Sequence, residues 1–324
     1  MTERFGIRSL RKRFPSDREC LDFLFRMRHA KKCECGGRFK RIKNRLQYHC
    51  SRCSRQIAPM AGTIFEKSKV PLTFWFHALM MFSNAKSGLS AKTIQRDLEI
   101  TYKTAWRMAK LIRGALKQSD EPLKGNVELD LAFFGGKGDA GKNNERLSDV
   151  MRAKTKVLAA IERKGKARAQ IVASGSAKNH KNFLWQNVST KGTKLMTDKA
   201  LQLDNVARPY DRHSVHHKKR EFVRGNVHTN TVDWFRSHVK GSLRGTHKTV
   251  SPKYLQSYLD GFVFHRNNAH SDKERFEALV DIVLRAQEES RKSLVSRRMI
   301  PNSRRILAGS DPQRVDFPGR PVSL

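Results

Sequence analysis

The chain has 324 residues, with 66 Lys and Arg against 30 Asp and Glu, a formal net charge of +36. At 38% hydrophobic residues it can build packed cores, which excludes a wholly disordered basic protein. No apolar run approaches the roughly 18 residues of a membrane helix. The length predicts two or three domains. The charge is spread rather than confined to a tail: residues 1–120 carry 27 Lys and Arg against 9 Asp and Glu, and the remainder carry 39 against 21. Basic excess on several folded segments fits a protein that lies along nucleic acid and gains affinity from counterion release. The opening MTERFGIRSLRKRF lacks an apolar signal core, so the expected location is the cytoplasm, with no membrane partner.

In chain order, Ser16 to Arg28 reads as a short helix. Ser16 is its cap, Glu19 stands three residues on, and Cys20, Leu21, Phe23, Leu24 and Met27 form the apolar stripe. The run from Leu72 to Phe82 predicts a buried helix, followed by helices at 90–98 and 102–117 around the connector Glu99-Ile100-Thr101. From about residue 121 the pattern changes. Residues 126–136 read as a strand ending in glycines, with Gly135-Gly136-Lys137 a turn rather than a phosphate loop. A polar loop runs from Lys137 to Thr155, and 156–174 reads as a hairpin turning near Lys164-Gly165. A helix at 180–188, a strand at 193–197, an irregular basic stretch at 203–227 and helices at 229–243, 252–263 and 272–293 follow. The Arg-, Ser- and Pro-rich end from Arg297 is predicted to be disordered.

Four of five cysteines fall within 33–58. Cys33-Glu-Cys35 and Cys50-Ser-Arg-Cys53 present two thiol pairs, separated by 14 intervening residues, that can complete a tetrahedral structural Zn²⁺ site. The first pair is one residue short of the usual spacing, so His29 or His49 is an alternative ligand. A disulfide is disfavoured, and Cys20 reads as a core residue. The segment has too few apolar residues to fold by burial, so a closed metal site would supply its stability without being catalytic.

The helix pair at 90–117 has helix-turn-helix proportions. Ile94, Leu98, Ile100, Ala105, Met108, Ala109 and Ile112 supply packing. Tyr102, Lys103, Thr104, Arg107 and Lys110 form the start and outer face of the second helix, where bases and phosphates are contacted. An ordinary helical hairpin is the plain alternative. Farther on, Asp130 stands within an otherwise apolar strand, a costly position unless the carboxylate is paired or holds a metal. Asp198 ends a second strand. Asp233 and Lys240, two helical turns apart, share a helix face with Asn230 close by. Two strand-borne carboxylates and one on a helix can hold a pair of Mg²⁺ (or Mn²⁺) ions for phosphodiester chemistry. Trp185 and Trp234 could stack on bases, but packing beneath the helices is the expected role. His213, His216, His217 and His228 lie near this site as solvated or core histidines.

With these blocks in place, the chain resembles the insertion-sequence transposases that join an N-terminal zinc ribbon to a DDE-type domain, the ISXO-type group. The likeness covers about residues 14–270. It rests on F-P-S-D-R-E-C-L-D-F-L-F, Y-H-C-S-R-C-S-R-Q, A-G-T-I-F-E-K-S-K-V-P-L-T-F-W, Y-K-T-A-W, V-E-L-D-x₄-G-G-K, R-E-F-V-R-G-x-V-H-T-N-T-V-D-W-F and V-S-P-K-Y-L-Q-S-Y-L-D-G-F. The resemblance implies Asp130 and Asp198 as the first two metal ligands, Asn230 or Asp233 as the third active-site residue, and Lys240 as the lysine that follows. It also implies an RNase H-like fold.

The expected fold class is α+β or α/β multidomain. The expected units are an N-terminal helix plus zinc ribbon (1–60), a helical helix-turn-helix-like region (61–120), an RNase H-like DDE domain (121–275), and a C-terminal helix with a basic tail (276–324). The implied partners are double-stranded DNA, as element ends and target, and further copies of the chain, with the protein associated with a prokaryotic nucleoid. Three departures stand out: the C-x-C knuckle, the short Asp233 where Glu is usual, and Leu131 and Lys199 where acidic residues often follow the first two aspartates. They leave open a catalytically silent DNA-binding descendant, and a zinc-ribbon RNA-binding factor is the reading from another class.

Overall fold

In the computed structural model, residues 4–135, 153–199, 203–269 and 271–298 are described. Two short helices open the chain, α1 (Ile7–Arg13) and α2 (Asp17–Arg28). The first was not expected from its charge-rich sequence. It forms because Leu10, and Phe5 and Phe14 on either side of it, are buried. Ser16 caps α2 by accepting the Arg18 N–H and donates its hydroxyl proton to Glu19. Met27, expected on the apolar stripe, is instead 37% exposed. Three antiparallel strands follow, β1 (Phe39–Arg41), β2 (Tyr48–Cys50) and β3 (Gln56–Ile57). Tyr48 stacks on Phe25 of α2, with ring centroids 4.1 Å apart, and this fastens the small sheet to the helices.

Helices α3 (Leu72–Asn84), α4 (Ala91–Leu98) and α5 (Tyr102–Ala115) complete the first region. Its core is aromatic, centred on Phe65, Trp75, Phe76 and Leu79. The last helix, α9 (Asp272–Arg298), returns to this core: Phe276 meets Phe5 at 4.9 Å and Phe14 and Phe76 at 6.2 Å. It runs past Arg297, where disorder was predicted. The chain beyond 298 lies outside the described residues, as does most of the polar loop after Gly135.

The second region is a five-stranded sheet of β4 (Leu123–Phe134), β5 (Thr155–Glu162), β6 (Ala167–Val172), β7 (Val188–Asp198) and β8 (Asp211–Val215), in the order β6-β5-β4-β7-β8. The β6, β5 and β4 strands pair antiparallel, while β4, β7 and β8 run parallel. The fifth strand lies inside the stretch expected to be irregular. Of its residues only Val215 is buried, so it has no apolar alternation to announce it. A two-stranded turn, β9 (Val223–Arg224) with β10 (Val227–His228), precedes α7 (Asn230–Ser242), and α8 (Pro252–Asn267) follows.

Alternation along β4 divides its side chains between the faces. Val127 and Leu129 pack with Phe183 and Leu184 of α6 (Ala177–Asn187). Ala132 and Phe134 pack under α7 and α8, so Glu128 and Asp130, which share their parity, face α7 as well. The outer edge of β6 is sealed by amide side chains rather than by another strand. Asn267, Gln118 and Gln256 accept the N–H groups of Ala167, Ala169 and Ile171 at 2.7, 2.9 and 2.9 Å. Their NH₂ groups donate back to the carbonyls of Ala167 and Ala169.

Candidate metal and nucleic-acid sites

The four cysteines come from two tight turns. The first is closed by Gly36 N–H to Cys33 O and Cys33 N–H to Gly37 O, the second by Ser54 N–H to Cys50 O and Cys50 N–H to Arg55 O. Sγ of Cys33 lies 3.7 Å from that of Cys53, and Sγ of Cys35 lies 3.4 Å from that of Cys50. All four sulfurs fall within 4.8 Å of one another. The group includes neither His29 nor His49, so the short C-x-C knuckle delivers both its thiols. Gly37 is required there, because a Cβ would stand 2.5 Å from Cys50 Sγ. Backbone N–H groups of Cys53 and Arg52 turned toward Cys50 push its thiol down to about 6, while at Cys53 the Arg55 N–H is outweighed by the neighbouring thiols and burial, which hold it up at about 11. Cys20, by contrast, is buried and driven up to about 12 by burial.

The carboxylates come from three elements far apart in sequence. Leu129 of β4 is in register with Thr197 of parallel β7, so Asp130 and Asp198 follow side by side. Asp233 is brought over β4 by α7. Arg236, one turn later, bridges two of them, reaching Asp130 Oδ2 at 3.0 Å and Asp233 Oδ1 at 2.7 Å. Thr229 donates to the other Asp233 oxygen at 3.0 Å. Burial raises the pKa of Asp130; Arg236 opposes this, and the negative charges of Asp233 and Asp198 add to it.

Hard oxygen donors whose mutual repulsion a cation would relieve are the set that Mg²⁺ takes, and Arg236 already answers that repulsion with a guanidinium. Among the described residues, however, the cysteines are the one group of three or more such ligands within 4.8 Å of each other. The three carboxylates therefore line one site without closing on a single point. Lys240 sits 5.5 Å over the Phe134 ring; burial lowers its pKa and Asp130 raises it. Asn230, the first residue of α7, is exposed.

Two residues of this site were not singled out in the sequence, Arg236 and Glu128. The Glu128 carboxylate is fully buried and accepts the N–H groups of Thr231 and Val232, at 2.7 and 3.1 Å, and the Thr231 hydroxyl at 3.0 Å. It therefore caps α7 from a strand 103 residues away. Arg163 closes the arrangement, reaching Glu128 at 2.7 Å and the carbonyls of Asn226 and His228 at 2.6 and 3.1 Å. His228 Nδ1 lies 3.3 Å from the same carboxylate. The signal was present: V-E-L-D puts two acids on one face of an apolar strand.

On α5, Thr101 caps the helix through Thr104 N–H, and Ala105, Met108, Ala109 and Ile112 are buried as expected. Tyr102, Lys103, Arg107 and Lys110 are exposed, while Thr104 is half-buried. Trp106, also exposed, meets Tyr254 edge-on, and Lys110 lies 5.2 Å from its ring. The expectation that Trp185 and Trp234 pack beneath helices is overturned: they are 77% and 57% exposed. In α6 the buried stripe is His180, Phe183 and Leu184, and Trp185 falls outside it.

Residues 122–267 match the family described as the ISXO2-like transposase domain. The chain carries an ISXO2-like transposase domain. A protein of the transposable element ISH50 from Halobacterium salinarum is 25% identical over 277 residues, covering 79% of this chain and 92% of that protein. A chain from the crystal structure of a pre-cleavage Mos1 transpososome overlaps 67% of this chain and 77% of its own length, at 9% identity. Its TM-score of 0.25 is too low to bear on the fold. The matched residues span all of β4 to β8, and they contain Asp130, Asp198, Asp233 and Lys240.

Proposed function

We propose that the protein is a DDE-type DNA transposase that cleaves insertion-sequence ends and joins them to target DNA, with residues 121–275 as an RNase H-like catalytic domain. The observation that carries this reading is the meeting of Asp130, Asp198 and Asp233 beside one another on β4, β7 and α7 of the transposase domain. Three antiparallel strands followed by two parallel ones, with helices on both faces, support the RNase H-like assignment. Asp130, Asp198 and Asp233 are the residues that would hold Mg²⁺ or Mn²⁺, with Asn230 at the rim of the site. Ions held there would supply Lewis-acid activation of the attacking oxygen, of water and then of the freed 3′-OH, and charge stabilisation for the leaving one.

Lys240 offers its ammonium to a phosphate oxygen, and Arg236 orients the Asp130 and Asp233 carboxylates. The four cysteines would hold a structural Zn²⁺. Tyr102, Lys103, Thr104, Arg107 and Lys110 present α5 to duplex DNA, and a homo-oligomer brings two element ends together. Asp130→Asn should abolish strand transfer on element-end DNA while leaving DNA binding intact; retained transfer would sink the mechanism. The Arg236 bridge favours one second reading, a DNA-binding protein in which a guanidinium has replaced the metal. Calorimetric titration of the zinc-loaded protein with Mn²⁺ separates the two, because the silent protein takes up none.

A further inference from the structure

An open cleft of about 780 Å³ lies between the C-terminal end of β4, the start of β5 and the α7–α8 connection. Its walls carry Lys154, Lys240, Arg244 and Lys248 over a floor that includes Phe133 and Phe134, and no acidic residue is among the described residues that line it. None of the four cations has a carboxylate partner among the described residues. Beyond burial, the positive charges of Arg236, Lys154 and Arg244 all press on Lys240, which places these groups within mutual repulsion.

The backbone spends conformational energy to build this wall. After Ser242 the helix widens into a π turn over Leu243–His247, and Lys248 then adopts φ +61° with ψ −68°, a backbone conformation unfavourable for a residue with a Cβ. The 16-residue α8 opens onto the same cleft. Pro252 is its first residue and Ser251 makes no side-chain cap, so the positive end of the helix is left for another acceptor.

We propose that this cleft binds the sugar–phosphate backbone of DNA beside the bond to be cut. This rests on the transposase reading, and it adds a sequence-independent grip separate from α5. Lys240 links the two sites, since it lines the cleft and feels the charge of Asp130. Four cations without a carboxylate partner among the described residues suit phosphate groups, and the phenylalanine floor suits the apolar face of a sugar. Contacts of this kind fix position and do not read bases.

The test uses the full zinc-loaded chain and a fluorescein-labelled 30-base-pair duplex of arbitrary sequence, without Mg²⁺, followed by anisotropy across a salt series. The double variant Arg244→Ala/Lys248→Ala should reduce the slope of log K against log salt by about 1.8, two phosphate contacts' worth, and weaken binding about 60-fold at 0.1 M salt. The charge-preserving variant Arg244→Lys/Lys248→Arg should restore the slope. An unchanged slope in the alanine variant, or an equal loss in the charge-preserving one, overturns the cleft as a phosphate site. Asp130→Asn keeps the full slope in either case. A chain that loses slope with the cleft yet never cleaves DNA therefore defeats the enzymatic reading alone, and one that cleaves with an unchanged slope defeats the cleft alone.

Discussion

The helices of the two regions begin in different ways. In the first region α2, α4 and α5 are capped by their own Ser16, Ser90 and Thr101, each accepting an N–H from two or three residues ahead. In the second, α6, α7 and α8 follow Ser176, Thr229 and Ser251, residues of equally good capping type, and none of these side chains caps its helix. Instead α7 is capped by Glu128 across 103 residues, and α8 opens on the cationic cleft. Within the first region α3 is the exception, its first turn held by Asp17, which accepts the Thr73 N–H at 2.8 Å across 56 residues, and α1 starts without a side-chain cap. The second gives up local capping and places its helix ends where the sheet and, in the proposed function, the DNA need them.

The sharpest test of this contrast is removal of a cysteine. Structural zinc in small domains is coupled to folding by on the order of 10 kcal/mol, so Cys50→Ser should release the metal and unfold the turns around 33–57. Because those turns are tied locally, amide exchange measured by mass spectrometry should show β4, β5 and β7 still protected; loss of protection there would mean that the regions are not independent. Next in size is Glu128→Ala. It leaves Arg163 and two helix N–H groups facing a void, and breaking a buried pair from one side costs about 3–5 kcal/mol. The urea midpoint should fall accordingly, with Glu128→Gln milder because an amide oxygen still accepts from α7. A harmless Glu128→Ala would show that α7 is held by packing alone.

The seam between the regions supplies a pH test. His265 of α8 stacks on Phe82 of α3 with centroids 5.7 Å apart, and burial, helped by Arg275 and Lys86, pushes its pKa down to about 4. Unfolded, it would bind a proton near pH 6.5. Its contribution is therefore complete above pH 6.5 and drains away as the pH falls toward 4, by about 3 kcal/mol in all. His247 is also pushed to about 4, mainly by burial with Arg113 beside it, so it steepens the same decline. Thermal melts between pH 7 and 4 should show the loss, and His265→Phe should flatten it. An unchanged profile in that variant would place the acid-sensitive groups elsewhere.

What could be read from the sequence follows the same division. Two cysteine pairs in short turns are legible because their ligands lie 2–20 residues apart, and the structure gathers all four. The packing face of α4 and α5 is equally legible from 3.6-residue spacing. β8 was missed because a parallel edge strand reading Asp-Arg-His-Ser-Val has one buried residue. Arg236 was missed because its partner Asp130 lies 106 residues away, and helix periodicity shows a face without naming what it meets. Glu128 and Asp130 gave one signal, acids within an apolar strand, that permits two fates. The strand pattern cannot tell a carboxylate that caps a helix from one that lines a site.

The smallest effect is the most direct measure of the contrast. Ser90 and Ser251 stand at the same position relative to their helices, with similar extended backbones, φ −81° and ψ 150° against φ −62° and ψ 142°. The Ser90 hydroxyl accepts Thr93 N–H at 3.1 Å and is tied to the Thr93 hydroxyl at 2.8 Å, whereas Ser251 makes no cap bond. Propensity alone assigns both the same value, about 1 kcal/mol on replacement by alanine. The structure instead predicts that loss for Ser90→Ala and a change within about 0.5 kcal/mol for Ser251→Ala. Paired denaturant titrations resolve the difference. Equal losses would mean that α8 is capped by its own serine, so its amino end would not be free for a phosphate and the division between locally and distantly specified helices would fail at α8.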